Sequence, residues 1–250
     1  MKILVFDLCR KRLSTTIVGI ILICVVLTGT SIGLVADMYG SSLNLVSTDV
    51  VPYEKLIILD AGHGGEDPGA VGFNGVYEKD LNLQVAMQIG EYLEKEGYVV
   101  VYTRTDDRLL YEKEQNIKGI RKISDLKNRC KFANQYPNSI LVSIHMNSFG
   151  EGKYYGLQTY YTPNDENSRK LADIIQNNVQ TRIQNENTRA VKQGDKIFLL
   201  NNSEPTSVLI ECGFLTNKEE CEKLSEKEYQ KELSFAIVCG IIEYVEEKTK

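Results

Sequence analysis

The sequence has few histidines, no disulfide pattern and no excess of positive charge. Histidine occurs twice in 250 residues, so a site that needs imidazole has two candidates. The six cysteines show no paired spacing, so no disulfide framework can be read from the sequence. The chain contains neither an internal repeat nor a low-complexity tract. The lack of repeats excludes a repeat architecture.

The charge balance argues against a nucleic-acid partner. The formal net charge is −5, and beyond the first 12 residues the chain carries 25 basic and 33 acidic residues. A protein that binds phosphates instead concentrates Lys and Arg. With 42% hydrophobic and 25% charged residues, the composition is that of a globular protein. We therefore expect a folded core and no nucleic acid as ligand.

The N-terminal segment is predicted to export the chain. Residues 15–36 carry no charge and follow a basic start, and roughly 20 apolar residues suffice to span a bilayer. A membrane anchor and a cleaved secretory signal both fit this pattern, and a buried core helix is a third reading. Because basic residues stay on the cytoplasmic side, anchor and signal both place the remainder outside the cytoplasm. We predict a signal or membrane anchor at 1–36, a polar linker at 37–52 and one catalytic domain at 53–250.

Beyond the linker, apolar runs alternate with helical periods as far as the C-terminus. Such alternation is typical of an α/β fold with a twisted, largely parallel β-sheet and helices on both faces. Apolar stripes at i,i+4 spacing predict three amphipathic helices, whose stripes begin at Leu81, Leu171 and Leu233. The polar segment 105–123 is predicted to be a long surface loop. The predicted strands cover residues 55–60, 98–103, 140–145, 156–161, 196–200 and 206–211.

Both histidines directly follow apolar runs of predicted strands. His63 lies in ILDAGHGG, where Gly62, Gly64 and Gly65 allow a tight turn, and His145 ends the apolar run of ILVSIHMNS. In a parallel α/β sheet, ligands bind beyond the carboxyl ends of the strands. A single histidine at a strand end is more often a hydrogen-bonded structural residue. Two histidines in equivalent positions favour a shared metal ion.

A hydrolytic zinc site needs a third protein ligand, commonly a carboxylate, and leaves its fourth position to water. Glu78 is the best candidate, because it lies at the start of the first amphipathic helix, after a glycine-rich loop that can fold back toward His63. A glutamate at this position can also serve only to complement the helix dipole. Asp60 and Asp67 are the rival carboxylates.

Glu211 is the candidate catalytic base. Hydrolysis needs a group that takes a proton from the attacking water and passes it to the leaving amine. Glu211 ends an apolar run in SVLIECGFLTN, and a charged side chain at the end of a buried strand requires a partner or a task. A buried ion pair with a nearby lysine or arginine is the alternative reading.

Six separated motifs occur in order along the chain. They are ILDAGHGGEDPGAVG, YEKDLNL, TRTDD, RCKFAN, SIHMNS and VLIECGFLTNKEE, over about residues 55–247. In this order they resemble the Amidase_3 group of N-acetylmuramoyl-L-alanine amidases. In that group zinc is held by the histidine of GHGG, the glutamate that opens the next helix and the histidine of S-x-H. The resemblance therefore implies a zinc-hydrolase-type fold, Zn²⁺ bound by His63, Glu78 and His145, and Glu211 as catalytic base.

The same resemblance implies a reaction and its setting. Members of the group cleave the amide between the lactyl group of N-acetylmuramic acid and the first L-alanine of the stem peptide in peptidoglycan. The short form with an N-terminal apolar segment and the stretch IKGIRKISDLKNRCKFAN look most like the germination-specific amidases of spore formers. Those act in cortex synthesis, where a deacetylase then generates muramic-δ-lactam. A vegetative autolysin or cell-separation amidase is the alternative.

The resemblance also implies partners and a location. Peptidoglycan is the expected substrate, and the lack of a recognisable targeting domain suggests an accessory protein. We expect the catalytic domain to be exported and either secreted or anchored in the membrane. In a sporulating cell this location includes the space between the forespore and mother-cell membranes.

Two interpretations from other functional classes stay open. A thiol hydrolase would use Cys212 with His145 as its base, although the adjoining carboxylate of Glu211 would raise the pKa of this thiol. A non-catalytic, membrane-anchored protein that binds peptidoglycan or regulates another enzyme would keep the fold and lose the activity. The intact ligand set, together with Glu211, argues against this second interpretation.

Overall fold

The structure is a computed structural model that describes residues 55–111, 114, 117, 120–150 and 152–249. The predicted leader and linker lie outside the described residues. Within the described ranges, no helix combines the length and the apolar character that crossing a bilayer requires.

The strands of the described residues form one six-stranded sheet. They are β1 (Leu56–Ala61), β2 (Val99–Tyr102), β3 (Ile140–Asn147), β4 (Gln158–Tyr161), β5 (Lys192–Gln193) and β6 (Thr206–Phe214). Their order across the sheet is β2-β1-β3-β6-β4-β5. Strands β2, β1, β3 and β6 are parallel, whereas β4 runs antiparallel to β6 and β5 runs parallel to β4. The prediction of a largely parallel sheet is confirmed.

Helices connect and cover these strands. They are α1 (Glu78–Lys95), α2 (Arg121–Ala133), α3 (Glu166–Arg182), α4 (Phe198–Asn202), α5 (Lys218–Ser225) and α6 (Lys227–Lys248). Side-chain caps begin two of them, because Asp165 accepts backbone N–H groups at the start of α3 and Asn217 does so at the start of α5. The three amphipathic helices predicted from apolar stripes are confirmed as α1, α3 and α6.

Alternation along the strands divides the core in two, because successive strand side chains point to opposite faces of a sheet. Ile57, Val142 and Ile210 pack with α1, α3 and α6 on one side, which we call the α1 face. Leu141 packs on the other side with Leu199 of α4 and with residues of α2, and we call this side the α2 face. Helices therefore cover both faces, as predicted.

Two local predictions are wrong. The strand predicted at 196–200 is instead the approach to helix α4 and its first turn. A run of five mostly apolar residues does not distinguish a buried strand from a short buried helix, and here Leu199 and Leu200 are buried from a helix. The loop predicted at 105–123 ends earlier, because α2 begins at Arg121.

A buried ion-pair network lies near the carboxyl end of β1. Asp60 accepts hydrogen bonds from Arg129 Nη1 at 2.6 Å, Thr103 Oγ1 at 2.7 Å and Ser143 Oγ at 2.6 Å. Arg129 also donates from Nε to Asp125 Oδ2 at 2.8 Å. Burial by itself raises the pKa of Asp60, but Arg129 and the two hydroxyl donors outweigh it and lower this pKa from 3.8 to about 2. The network joins β1, β3, α2 and the residue that follows β2.

We predict that Asp60→Asn destabilises the protein in a pH-dependent way. The folded-state pKa of Asp60 is depressed, so its carboxylate stabilises the fold above about pH 4 and this contribution is lost as the pH falls toward 2. In urea unfolding near neutral pH, Asp60→Asn should lower the free energy of unfolding by about 2–4 kcal/mol. The difference in free energy of unfolding between wild type and Asp60→Asn should decrease by about 1 kcal/mol as the pH falls from 5 to 3.

The exposed carboxylate Asp173 on α3 provides the matched control. Asp173→Asn should change the free energy of unfolding by less than about 0.5 kcal/mol. A difference between wild type and Asp60→Asn that stays constant from pH 5 to pH 3 would contradict the role assigned to the Asp60 carboxylate.

Candidate metal centre

The GHGG loop turns His63 toward the end of β3. The turn is tied to β3 by a hydrogen bond from Gly62 N to Ile144 O at 3.0 Å. His63 has a φ of 60°, a left-handed conformation that is uncommon for a residue with a side chain. A Cβ at position 62 would lie 2.1 Å from Cε1 of His145. Glycine at this position therefore makes room for the second imidazole, whose ring centroid lies 5.0 Å from that of His63.

Two buried arginines hold the carbonyl groups of this loop. Arg104 donates from Nε to Ala61 O at 2.9 Å and from Nη2 to Gly62 O at 3.0 Å. Arg129 donates from Nη1 to Ala61 O at 2.8 Å and from Nη2 to His63 O at 2.7 Å. Three consecutive carbonyls are thus satisfied by guanidinium groups, which orients the backbone that carries His63. Neither arginine was assigned a role from the sequence, although Arg104 lies in the motif TRTDD and Arg129 in the motif RCKFAN.

Glu78 is the first residue of α1 and its side chain reaches back into the preceding loop. Its Oε2 accepts the backbone N–H of Ala70 at 2.8 Å, and its Oε1 accepts that of Met146 at 3.2 Å. Gly69 has a φ of 68°, and a Cβ there would lie 2.4 Å from Oε2 of Glu78. The helix N-terminus also favours a negative charge at this position. Glu78 therefore complements the helix dipole and still lies within the site.

The side chains of His63, Glu78 and His145 converge. His63 Nε2 lies 3.1 Å from Glu78 Oε1, and His145 Nδ1 lies 2.9 Å from the same oxygen. One potential ligand atom from each residue lies within 4.8 Å of the others, an arrangement that can hold a metal ion. Glu78 is buried, whereas the two imidazoles are about one-fifth exposed, at 18% and 20%. The cluster is therefore accessible from solvent on the histidine side.

The two rival carboxylates have other partners. Asp67 Oδ2 lies 2.8 Å from Nδ1 of His63, the ring nitrogen that does not face Glu78. A carboxylate in this position orients a histidine and selects which nitrogen is presented to a metal. Asp60 instead belongs to the ion pair with Arg129. Glu78 is thus the carboxylate of the cluster, and Asp67 supports it through His63.

The charges around the cluster suit a bound cation. Burial lowers the pKa of His63, but Asp67 and Glu78 outweigh this effect and raise the pKa to about 9. Burial raises the pKa of Glu78, whereas His145 and His63 outweigh it and hold this pKa well below its ordinary range. The environment therefore stabilises positive charge on the imidazole side and negative charge on Glu78.

Glu211 stands next to this cluster and is in register with His145 across β3 and β6. Its Oε2 is buried and has no hydrogen-bond partner in the described part of the chain. Among those residues it also forms no ion pair with a lysine or arginine, so the structure does not support the alternative reading of a buried ion pair. Burial raises the pKa of Glu211 to about 7, because the lowering effect of His145 is smaller and Glu78 adds to the rise. Two neighbouring carboxylates with oppositely shifted pKa values are typical of sites that transfer protons.

Cys212 points away from the cluster, although it follows Glu211 in sequence. Its side chain is fully buried in the core of the α1 face, whereas the preceding Glu211 lies on the α2 face with His145. Burial, and next the charge of Glu211, raise the pKa of the Cys212 thiol well above its ordinary value. The sheet separates this thiol from the imidazole, which excludes the thiol-hydrolase interpretation.

A cleft of about 230 Å³ opens on the α2 face beside the two histidines. Its lining combines the apolar side chains of Phe198 and Leu209 with charged side chains of both signs, which include Lys122, Lys196 and the carboxylates of Asp60, Asp67 and Asp125. Lys122 is paired with Asp67 at 3.1 Å, so part of the basic charge in this cleft is already neutralised.

Comparisons with known proteins agree with this site. The family model Amidase_3, described as N-acetylmuramoyl-L-alanine amidase, matches residues 57–243. The chain is 36% identical over 194 residues to the germination-specific N-acetylmuramoyl-L-alanine amidase of Bacillus subtilis (strain 168), a match that covers 78% of this chain and 81% of the relative.

Two solved structures show the same fold. One is the CwlD amidase from Clostridioides difficile in complex with the GerS lipoprotein, with 41% identity, 77% of this chain and 98% of that chain covered, and a TM-score of 0.74. The other is an N-acetylmuramoyl-L-alanine amidase from Clostridium difficile 630, with 32% identity, 77% and 97% coverage and a TM-score of 0.67. The resemblance inferred from the six motifs is confirmed, and the chain belongs to the Amidase_3 family of N-acetylmuramoyl-L-alanine amidases.

Proposed function

We propose that the chain hydrolyses the amide between the lactyl group of N-acetylmuramic acid and L-alanine of the peptidoglycan stem peptide. In this proposal His63, Glu78 and His145 hold Zn²⁺, and Glu211 is the catalytic base. The observation that carries it is the convergence of these three side chains beside a carboxylate with a buried oxygen that lacks a hydrogen-bond partner.

The donor set suits zinc. Two imidazole nitrogens and one carboxylate oxygen are common ligands at hydrolytic zinc sites. Bound there, zinc would polarise the amide carbonyl and lower the pKa of water at the site. Asp67 holds His63 with Nε2 toward Glu78, and the N–H groups of Ala70 and Met146 hold the carboxylate of Glu78 in place.

Glu211 carries the proton in this mechanism. As a carboxylate it takes a proton from the attacking water, and Oε2 is the oxygen that accepts no hydrogen bond from the described residues. The oxygen of that water forms a bond to the lactyl carbonyl carbon, and the bond from this carbon to the alanine nitrogen breaks. Glu211 returns the proton to the departing nitrogen. Burial raises the pKa of Glu211 above its ordinary value, which favours return of the proton to the departing nitrogen.

We further propose a role in spore cortex maturation, needed for germination. The named function of the Bacillus subtilis relative supports this role, as does the similarity to CwlD. In this setting the peptide-free muramic acid would be the substrate of a peptidoglycan deacetylase that prepares muramic-δ-lactam. The complex of CwlD with a lipoprotein supports an accessory protein for this chain as well.

The organisation proposed for the chain is an N-terminal signal or anchor at 1–36, a linker at 37–52 and the catalytic domain at 53–250. Peptidoglycan lies outside the cytoplasm, so the catalytic domain must be exported to reach its substrate. Attachment to the membrane through the N-terminal segment would keep the catalytic domain near the wall layer that it processes.

The direct test is digestion of purified peptidoglycan by the full-length protein, with zinc and with a chelator. We expect new amino termini on L-alanine, no new reducing sugar ends, and loss of the activity in the chelator. Release of glycan fragments without free alanine amino groups would refute the proposed reaction.

The first prediction from the proposed function concerns the metal. Replacing His145 by Ala removes one of three ligands from a site at the sheet edge, so zinc should be lost while the circular dichroism stays native-like. We expect the affinity for zinc to fall by more than about 100-fold, which exceeds the typical effect of losing a residue that only orients a ligand. Elemental analysis after dialysis measures the loss.

The matched control is Glu66→Gln. It changes an exposed carboxylate that pairs with Arg121 and lies in the loop that carries His63. This variant should retain one zinc per chain. A full zinc complement in His145→Ala would remove His145 from the ligand set.

A second prediction separates the base from the ligands. Glu211→Gln has nearly the same shape but can neither accept nor return the proton. Turnover should therefore fall by about 10²-fold to 10⁴-fold while zinc content and fold are retained. Glu219→Gln, an exposed change at the start of α5, should leave turnover unchanged. Near wild-type turnover in zinc-loaded Glu211→Gln would refute the role, and loss of zinc would make Glu211 a ligand.

A third prediction concerns the thiol. Because Cys212 packs in the core of the α1 face, Cys212→Ala should keep most of the activity and lower the free energy of unfolding by about 1 kcal/mol. Activity on peptidoglycan and urea unfolding measure the two effects. A folded, zinc-loaded Cys212→Ala without activity would reinstate the thiol as nucleophile.

A further inference from the structure

A row of polar side chains leads away from the metal cluster across the sheet. His145, Glu211 and Gln158 occupy paired positions on the neighbouring strands β3, β6 and β4. Residues paired in this way point to the same face, so all three lie on the α2 face. Strands are roughly 4.8 Å apart, which places Gln158 about 10 Å from His145. A ligand that lies across the strands from the metal cluster would therefore reach Gln158 after passing Glu211.

Arg189 stands at the far end of this row and is held on three sides. Its Nη1 donates to Gln158 Oε1 at 3.1 Å, and its Nε donates to Tyr155 O at 2.7 Å. Its guanidinium carbon lies 4.5 Å from the centre of the Phe214 ring. Gln158 is itself held, because its Nε2 donates to Ala190 O. The guanidinium group is therefore fixed in position before any ligand binds.

Within the described ranges, Glu220 interacts electrostatically with the guanidinium of Arg189 but forms no ion pair with it. Its Nη2 makes no hydrogen bond there, and no carboxylate of those residues forms an ion pair with it. The two other arginines near the site differ, since Arg104 and Arg129 are buried and use their guanidinium groups on loop carbonyls and acids. A positioned arginine that retains a free donor is suited to bind a carboxylate of a ligand.

A small cavity adjoins this arginine. It has a volume of about 150 Å³ and is lined by Arg189 together with Lys153, Tyr154, Tyr155, Asn187 and Thr188. Lys153 adds a second positive charge, with its Nζ 5.0 Å from the centre of the Tyr154 ring. The lining contains no acidic side chain among the described residues. The cavity is therefore electrostatically suited to an anionic group of small size.

We infer that Arg189, positioned by Gln158, binds the free α-carboxylate of the stem-peptide residue that follows L-alanine, and so determines specificity for this group. The inference rests on the proposed function. In peptidoglycan that residue continues the chain through its side-chain carboxyl, which leaves the α-carboxylate free. Two extended residues span about 7 Å from the scissile amide, which is comparable to the distance of about 10 Å between His145 and Gln158. The substrate would then lie along the row from His145 to Gln158.

The test compares two soluble muropeptides that are identical except at this position, where one has the α-carboxylate and the other the α-amide. Wild-type full-length protein loaded with zinc should have a kcat/KM about 10-fold to 100-fold higher for the carboxylate. In Arg189→Gln this ratio should fall to about 1 through a higher KM for the carboxylate substrate, while the amide substrate is cleaved within about 3-fold of wild type. Arg189→Lys keeps the positive charge but lacks the planar, bidentate arrangement of N–H donors. It should retain an intermediate ratio of kcat/KM between the two substrates.

The exposed Arg169→Gln on α3 is the matched control and should keep the wild-type ratio. Zinc content and thermal unfolding are measured on every variant, and Arg189→Lys serves alone if Arg189→Gln does not fold. An equal loss on both substrates would show that Arg189 has only a structural role and would overturn the inference. Equal cleavage of both substrates by wild type would overturn it as well, while leaving the proposed function intact. Failure of zinc-loaded wild type to cleave either substrate would refute the proposed function, and the inference with it.

Discussion

The candidate site depends on the buried ion pair between Arg129 and Asp60. Removing both charges from water costs several kcal/mol, which only close geometry and additional hydrogen bonds offset. Here Asp60 also accepts the hydroxyls of Thr103 and Ser143, and Arg129 also donates to Asp125 and to loop carbonyls. The same guanidinium that neutralises Asp60 thus holds the backbone on which His63 stands. Loop geometry and the stability of the sheet edge are coupled through one side chain.

The two carboxylates of the site differ because their surroundings differ. Glu78 accepts backbone N–H groups and faces both imidazoles, so its charge is stabilised despite burial. Glu211 is next to the same histidines, but one of its oxygens is buried without a donor from the part of the chain that the structure describes, and burial therefore favours its protonated form. One carboxylate is suited to remain ionised beside a cation, and the other to gain and lose a proton. This division of roles agrees with the proposed amide hydrolysis.

The topology of the sheet decides which side chains can cooperate. Parallel strands β1, β3 and β6 deliver His63, His145 and Glu211 to one edge. The antiparallel β4 starts at that edge, so Gln158 extends the same row and the chain before β5 brings Arg189 to its end. Strand alternation then places Cys212 on the other side of the sheet from Glu211. Glu211 and Cys212 are adjacent in sequence, yet Glu211 lies in the site and Cys212 lies in the core.

The family and the α/β fold are predictable from the sequence alone, and so are the four residues that we propose for the site. This was possible because a scarce residue type stands directly after apolar runs, and strand ends in a parallel sheet share an edge. Three features emerge only in the folded chain: Asp67 orients His63, Arg104 and Arg129 hold the loop, and residues 198–202 form a helix. The two arginines make contacts with residues far apart in the chain, and the helix reflects packing that overrides a short apolar run. The contact between Asp67 and His63 is local in sequence but depends on the turn that the loop adopts. Local sequence patterns do not encode such contacts, because burial and hydrogen-bond partners are settled only when the strands and helices assemble.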